Sequence, residues 1–314
     1  MHTPVLLLLF NRPDYAEVLL DSMASIPVSG IYIAIDGPRP SHPEDVQQIA
    51  LVKELVDKTR FHTKEIYTLY QPENLGCRHG VKAALDWFFS KEERGIVLED
   101  DCIPDPSFFP FCDTLLEKYA EDERVFAISG DNFLLDEVKI PESYYFSKYF
   151  HSWGWASWRR SWEKYDFEMA TFPDFIGENK IDHYPCSEAE KSHWIAFYKD
   201  MRQRLDSINS WAYPFCYSLL KEQAVCIVPA KNLVHNIGFD GSATHTKNTP
   251  YWYHYLKTEP LTIVSHPREV AVNQEADQAV FDFTVRRMYS PPYMKRIRLK
   301  IRQLLEGLKN SGKD

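Results

Sequence analysis

Long apolar runs are missing from this 314-residue chain. The run Val5–Phe10 spans six residues, and nothing later approaches the roughly 18 that a membrane-spanning helix requires. No charged region precedes Val5, so the run does not read as a secretory signal either. The six cysteines (Cys77, Cys102, Cys112, Cys186, Cys216, Cys226) form no C-x-x-C pair, which argues against a zinc site. They lie inside apolar segments, as buried free thiols do in a reducing compartment. A basic balance is also absent: the formal net charge is −9, which leaves no electrostatic footprint for nucleic acid. There is no internal repeat and no low-complexity tract. These absences predict a cytoplasmic globular protein, built as one large α/β domain or two small ones.

The first half alternates strand and helix patterns. Val5–Phe10 is continuously apolar, as a parallel strand buried on both faces should be. It stops at Asn11-Arg12-Pro13, and a helix follows from about Asp14. Ile31–Ile35 is a second strand, stopped by Asp36-Gly37-Pro38, with a helix near Glu44–Lys58. Glu65–Tyr70 is a third, followed by a helix over Val81–Phe89. Ile96–Leu98 is a fourth and runs straight into Glu99-Asp100-Asp101. A helix near Ser107–Tyr119 and a strand Val125–Ser129 complete the series. Such alternation predicts a doubly wound, mostly parallel sheet flanked by helices. The second half is less regular. It holds an aromatic cluster, His151 to Trp158, a helix near Glu188–Leu205 and a strand Ala224–Val228. The segment after about 267 reads as poorly packed and ends in a basic amphipathic helix, Tyr293–Leu308.

In doubly wound sheets ligands bind beyond the carboxyl ends of the strands. Asn11-Arg12, Asp36-Gly37 and Glu99-Asp100-Asp101 all lie at such ends, so one shared site is expected there. Three consecutive acids repel one another unless a cation compensates them. Carboxylate oxygens suit Mg²⁺ or Mn²⁺, which would in turn bridge a diphosphate. On an ordinary surface the same triplet is a solvated turn; its position after a buried strand favours a site. Asp36-Gly37 reads as a plain turn or as an acceptor for a base or ribose, and Arg12 as a phosphate partner or a loop cap. His245, between Thr244 and Thr246, reads as a loop histidine or a metal or phosphate ligand. The indoles Trp153, Trp155 and Trp158 read as core or as sugar-stacking faces. Aromatics make up 14% of the chain, and core packing accounts for most of them.

The segments VLLLLFNRP, IYIAIDG, ENLGCRHGVKAALDWFF, GIVLEDDCIPDPSFFPFC, HSWGWASW and NIGFDGSATHT together resemble GT-A glycosyltransferases. They are most similar to the N-acetylglucosaminyltransferase I type and to bacterial sugar transferases of surface-polysaccharide pathways. The resemblance covers roughly residues 4–250. It implies a Rossmann-like GT-A domain over residues 1–265, with a donor half to about 130, an acceptor half beyond it, and a C-terminal helical extension over 266–314. It further implies a UDP-sugar donor, Mn²⁺ or Mg²⁺ as cofactor, and a saccharide or lipid-linked acceptor. Asp101 would ligate the metal together with His245. Glu99, Asp100, Asp36, Gly37, Arg78, His79 and the loop Phe10-Asn11-Arg12 would bind the donor. Trp153, Trp155 and Trp211 would hold the acceptor.

One departure concerns the general base. The resembled type carries an acid just before a tryptophan, and here Asn209 and Ser210 precede Trp211. Asp206 is the nearest acid, with Glu163 and Asp240 as further candidates. Two rival readings use the same sheet: a sugar nucleotidyltransferase, and a non-catalytic glycan-binding protein. The first needs a glycine-rich loop after the first strand, and Phe10–Asp14 contains no glycine. From Arg286 onward nine lysines and arginines face two acids. That tail is either a solvated terminal helix or a peripheral dock for an anionic membrane.

Overall fold

A computed structural model describes residues 2–63, 65–135, 137–239 and 253–287. Among the described residues are ten strands and ten α-helices, which alternate as far as β4. The strands are β1 Val5–Leu9, β2 Ile31–Ile35, β3 Ile66–Tyr70, β4 Arg94–Glu99, β5 Cys102–Pro104, β6 Val125–Ser129, β7 Tyr144–Ser147, β8 Trp155–Trp158, β9 Val225–Pro229 and β10 Val234–Asn236. The helices are α1 Pro13–Ala24, α2 Glu44–Lys58, α3 Gly76–Lys91, α4 Phe108–Lys118, α5 Arg159–Trp162, α6 Phe172–Gly177, α7 Glu188–Gln203, α8 Leu205–Ile208, α9 Ala212–Lys221 and α10 Gln274–Phe281.

Eight strands form one sheet in the order β3-β2-β1-β4-β8-β6-β9-β7. The block β3-β2-β1-β4 is parallel, as is the β6–β9 pair. β8 runs antiparallel between β4 and β6, and β7 is antiparallel to β9. The expected α/β architecture, a mostly parallel sheet flanked by helices, is therefore present. Odd residues of β1 (Val5, Leu7, Leu9) pack with α1, α2 and α4 through Leu19, Val52 and Leu115. Even residues (Leu6, Leu8) pack on the other face with α3 and α9 through Leu85, Phe88 and Phe215. Burial on both faces is why these strands read as unbroken apolar runs.

The strand order reverses at β1. The chain moves outward from β1 to β2 to β3, then returns to place β4 on the other side of β1. That is a topological switch point, and it opens a crevice beyond the strand ends. A small second sheet stands beside the acidic triplet. β5, directly after the acidic triplet, pairs antiparallel with β10. The Ile237 amide then donates to the Asp101 carbonyl over 2.8 Å.

Two regions depart from the sequence reading. The aromatic cluster contains β8, all four of whose residues are buried; a four-residue strand buried on both faces shows no alternation to betray it. Residues 272–283, expected to pack poorly, are instead anchored. Val272 bridges to Phe146, and the Asn273 side chain caps α10 by accepting from the Ala276 amide. Ala276, Val280 and Phe281 bury one face of α10. Asp277, fully buried, accepts from the Ser147 hydroxyl at 2.6 Å and the Lys148 amide at 3.0 Å. The helix reads as polar because its central acid is satisfied internally. Of the expected basic helix, Tyr293–Leu308 lies outside the described residues.

Candidate active site

At the carboxyl ends of β1 to β4 lies a cleft of about 470 Å³. Its lining includes Phe10, Asn11, Arg12, Asp36, Glu99 and Asp100. The polar residues that stood at separate strand ends in the sequence thus converge on one space.

The floor is built by hydrogen bonds. The Asp36 carboxylate accepts from four donors: the Gly37, Leu75 and Gly76 amides and the Asn74 amide group, at 2.9–3.0 Å. It ties the β2 end to the turn that opens α3. Burial pushes this carboxyl up, and the three backbone donors offset only part of that rise. Gly37 is required there, because a Cβ would come within 2.4 Å of the Glu73 backbone. Gly76 supplies a left-handed residue, φ +75°, at the start of α3. Asp45, fully buried on α2, receives the Asn11 amide at 2.6 Å and the Arg39 guanidinium at 2.7 and 2.8 Å. The Arg39 bonds hold Asp45 well below the usual carboxylate range.

Glu99 and Asp100 stand at the inner end; Asp101, the third acid, lies next to them outside the cleft lining. Arg12 donates to both oxygens of Asp100 and, at 3.1 Å, to Asp101. Burial disfavours the Arg12 charge, but Asp100 and Asp101 outweigh it and hold the guanidinium above its ordinary pKa. Glu99 accepts from the Trp211 indole at 3.2 Å. Burial pushes Glu99 up, reinforced by the charges of Asp101 and Asp100. Burial likewise pushes Asp100 up, with Arg12 opposing and Asp101 adding. Among the described residues Arg12 is the one cation paired with the triplet, so negative charge remains in excess. Asp101 also accepts from the Asn236 side chain at 3.3 Å, which links the triplet to β10.

This donor set fits a hard divalent ion shared with a substrate. Among the described residues no group of three or more His, Cys, Asp or Glu is arranged to hold a metal unaided. Mg²⁺-type sites need only one or two carboxylates when phosphate oxygens supply the rest. His245 and Asp240 lie outside the described residues.

Seven residues expected at the site, Arg78, His79, Asp206, Glu163, Trp153, Trp155 and Trp211, lie outside the cleft lining. Arg78 does not face the cleft. Along α3 the cleft is lined by Cys77, Gly80, Val81 and Ala84, one stripe at i, i+3, i+4 and i+7; Arg78 falls off that stripe. Its guanidinium is 1% exposed, sits 3.9 Å from the Phe167 ring centroid, and pairs with Glu168 at 2.9 Å and Asp206 at 2.7 Å. His79 is off the stripe too, exposed and edge-on to Phe167. Asp206, expected as the base, is committed to Arg78 and is not part of the cleft lining. Trp155 and Trp211 have no face left for a sugar: they are 0% and 2% exposed and stack on each other with centroids 5.3 Å apart. Trp153 is half-buried against Phe133 and Phe239, outside the cleft lining. Glu163 is exposed beyond α5.

Sequence reasoning missed Arg39, Asp45, Asn74 and Asn209. Arg39 sits between two prolines in a loop with no periodicity to place it. Asn209, at φ +50°, accepts from the Arg78 amide at 3.0 Å and reaches the cleft. Cys77 also lines the cleft, but burial pushes its thiol up to about 12, so it is no nucleophile near neutrality.

No protein-family model and no curated protein sequence matches the chain. Solved structures similar to it include mouse xyloside xylosyltransferase 1 in its apo form, at 9% identity and TM-score 0.34, over 57% of this chain and 74% of that one. Another is 4-diphosphocytidyl-2C-methyl-D-erythritol synthase from Anaerococcus prevotii, at 9% identity and TM-score 0.31, over 63% and 83%. A third is apo UDP-glucose pyrophosphorylase, at 10% identity and TM-score 0.33, over 73% and 90%. Scores this low transfer no activity.

Proposed function

We propose that the chain is a metal-dependent glycosyltransferase of the GT-A type, which moves a sugar from a UDP donor to a saccharide or lipid-linked acceptor. The observation that carries this reading is the convergence of a desolvated, under-compensated acidic triplet with a cleft at the sheet's switch point. A nucleoside diphosphate lies across the strand ends, between Phe10 and the α3 stripe. Asn11 and Arg39, fixed by Asp45, face its ribose and base. Asp36 shapes the pocket by holding residues 74–76. Arg12 meets the diphosphate, and Asp101 with Asp100 holds the divalent ion. When bound, that ion supplies charge stabilisation for the departing diphosphate. Low dielectric around Glu99 and Asp100 strengthens every such interaction.

Of the acids lining the cleft, Asp36 is held by four donors, Asp100 by Arg12 and Glu99 by the Trp211 indole. Transfer by a single displacement inverts the anomeric centre. The basic stretch 286–314 docks the enzyme on the anionic inner face of the cell membrane, beside lipid-linked acceptors. No described helix is long and apolar enough to cross a membrane. Loss of liposome binding on deleting residues 288–314 tests the docking, and undiminished binding rejects it.

A panel of nucleotide-sugars with Mn²⁺ tests the activity. UDP release from one donor is expected, falling about a thousandfold in Asp101→Asn. Pyrophosphate release from UTP and a sugar phosphate would identify a nucleotidyltransferase instead. Neither reaction would leave a binding protein.

A further inference from the structure

Arg12 engages the carboxylate oxygens of Asp100 and Asp101 that a metal ion would need. It follows β1 directly and precedes Pro13, the first residue of α1, in a non-helical conformation (φ −115°, ψ 80°). Its guanidinium lies over the Tyr15 ring, Cζ 4.6 Å from the centroid. From there its fork takes both oxygens of Asp100 and the Oδ2 atom of Asp101. Gly238 lies close to Oδ2: a Cβ there would come within 2.5 Å of it. The other Asp101 oxygen, Oδ1, accepts from Asn236. Gly238 and the guanidinium thus both lie close to Oδ2.

A divalent cation and a guanidinium cannot share those oxygens without strong repulsion at such short range. We infer that Arg12 is a resident counter-ion, which fills the metal's place in the ligand-free protein and gives it up when a diphosphate arrives. The inference rests on the proposed reading of this cleft as a diphosphate and metal site. Arg12 already lines the cleft, so the diphosphate meets the fork where it stands. Phosphate oxygens offer it an equivalent bidentate partner. The guanidinium turns to them, and Asp101 is released to the ion. Metal and nucleotide then bind cooperatively, each raising the affinity for the other by the same factor. Meanwhile Arg12 offsets part of the acids' charge in the empty site and stands in the way of stray cations.

Calorimetric titration of Mn²⁺ into the full chain, with and without saturating UDP, tests this. The wild type should bind Mn²⁺ weakly alone and about tenfold or more tightly with UDP. Arg12→Met keeps the stem and removes the charge. It should bind Mn²⁺ without UDP about tenfold more tightly than the wild type, while its own UDP affinity drops. Arg12→Lys covers the case in which the Met variant fails to fold. A compact ammonium lacks the planar fork that grips Asp100 through two parallel bonds, so this variant should also bind Mn²⁺ alone more tightly than the wild type. UDP-free Mn²⁺ affinity that stays unchanged or falls in the folded variants overturns the counter-ion role, even if wild-type binding is UDP-dependent. Absence of Mn²⁺ binding to the wild type with UDP present overturns both this inference and the proposed function.

Discussion

The two halves of the molecule treat polar and aromatic residues in opposite ways. In residues 2–135 apolar side chains fill the strands, and the polar groups gather at the strand ends, open to a cleft of about 470 Å³. In residues 137–284 the conspicuous residues turn inward. Trp155 and Trp211 stack in the core. Lys148 is buried between Glu190 at 3.0 Å and Asp277 at 3.4 Å, and the Tyr149 hydroxyl donates to Glu190. The difference shows that residue types which look functional earn that reading only through position. A parallel strand delivers its last residues to solvent at the switch point, whereas a mixed aromatic layer consumes its own polar groups.

The largest expected effects test whether the second half is architecture. Trp155→Ala should cost about 3–5 kcal/mol in urea unfolding, because it empties the centre of a ring cluster. Trp153→Ala, half-buried, should cost clearly less; a reversal of that order would break the comparison. Lys148→Met should cost a similar amount, about 3–5 kcal/mol, by stranding two buried carboxylates. Replacing Lys148, Glu190 and Asp277 together by apolar residues should recover much of it. A smaller effect is expected from Asp45→Asn: about 1–3 kcal/mol of stability, accompanied by weaker UDP binding as Asn11 and Arg39 loosen. Intact UDP affinity would detach Asp45 from the site.

The smallest effect is a pH dependence. Glu99 and Asp100 are raised in the folded state, so the folded chain binds more protons than the unfolded one. Their unfavourable contribution is absent below the unfolded carboxylate pKa, about 4, and grows as pH rises above it. The melting temperature of metal-free protein should therefore decline from about pH 4 upward, and Mn²⁺ with UDP should flatten that decline. A flat profile without metal would show that Arg12 compensates the triplet fully.

How much of this was legible in the sequence follows the same division. Val5–Leu9, Ile31–Ile35 and Ile96–Leu98 announced themselves as unbroken apolar runs, and each handed on to a polar cluster that now lines or borders the cleft. The helical stripe of α3 was readable in its period, but not the choice of Cys77, Gly80 and Val81 over Arg78 and His79 as the cleft face. That choice depends on Phe167, Glu168 and Asp206, long-range partners that no local pattern contains. β8 was hidden because Trp155–Trp158 is buried on both faces. Asp36 stood visibly at a strand end, yet its commitment to residues 74–76 needed the fold to bring them together.

Each half also holds a cavity, and that permits the most direct test. The second, of about 170 Å³, is lined by rings such as Phe133, Phe150, Trp194 and Phe197. Crystals grown with UDP and Mn²⁺ should show the manganese anomalous peak beside Asp101, with the diphosphate between it and Arg12 and the nucleoside against Phe10 and Asn11. Nucleotide found in the aromatic cavity, or manganese bound away from Asp101, would contradict the account.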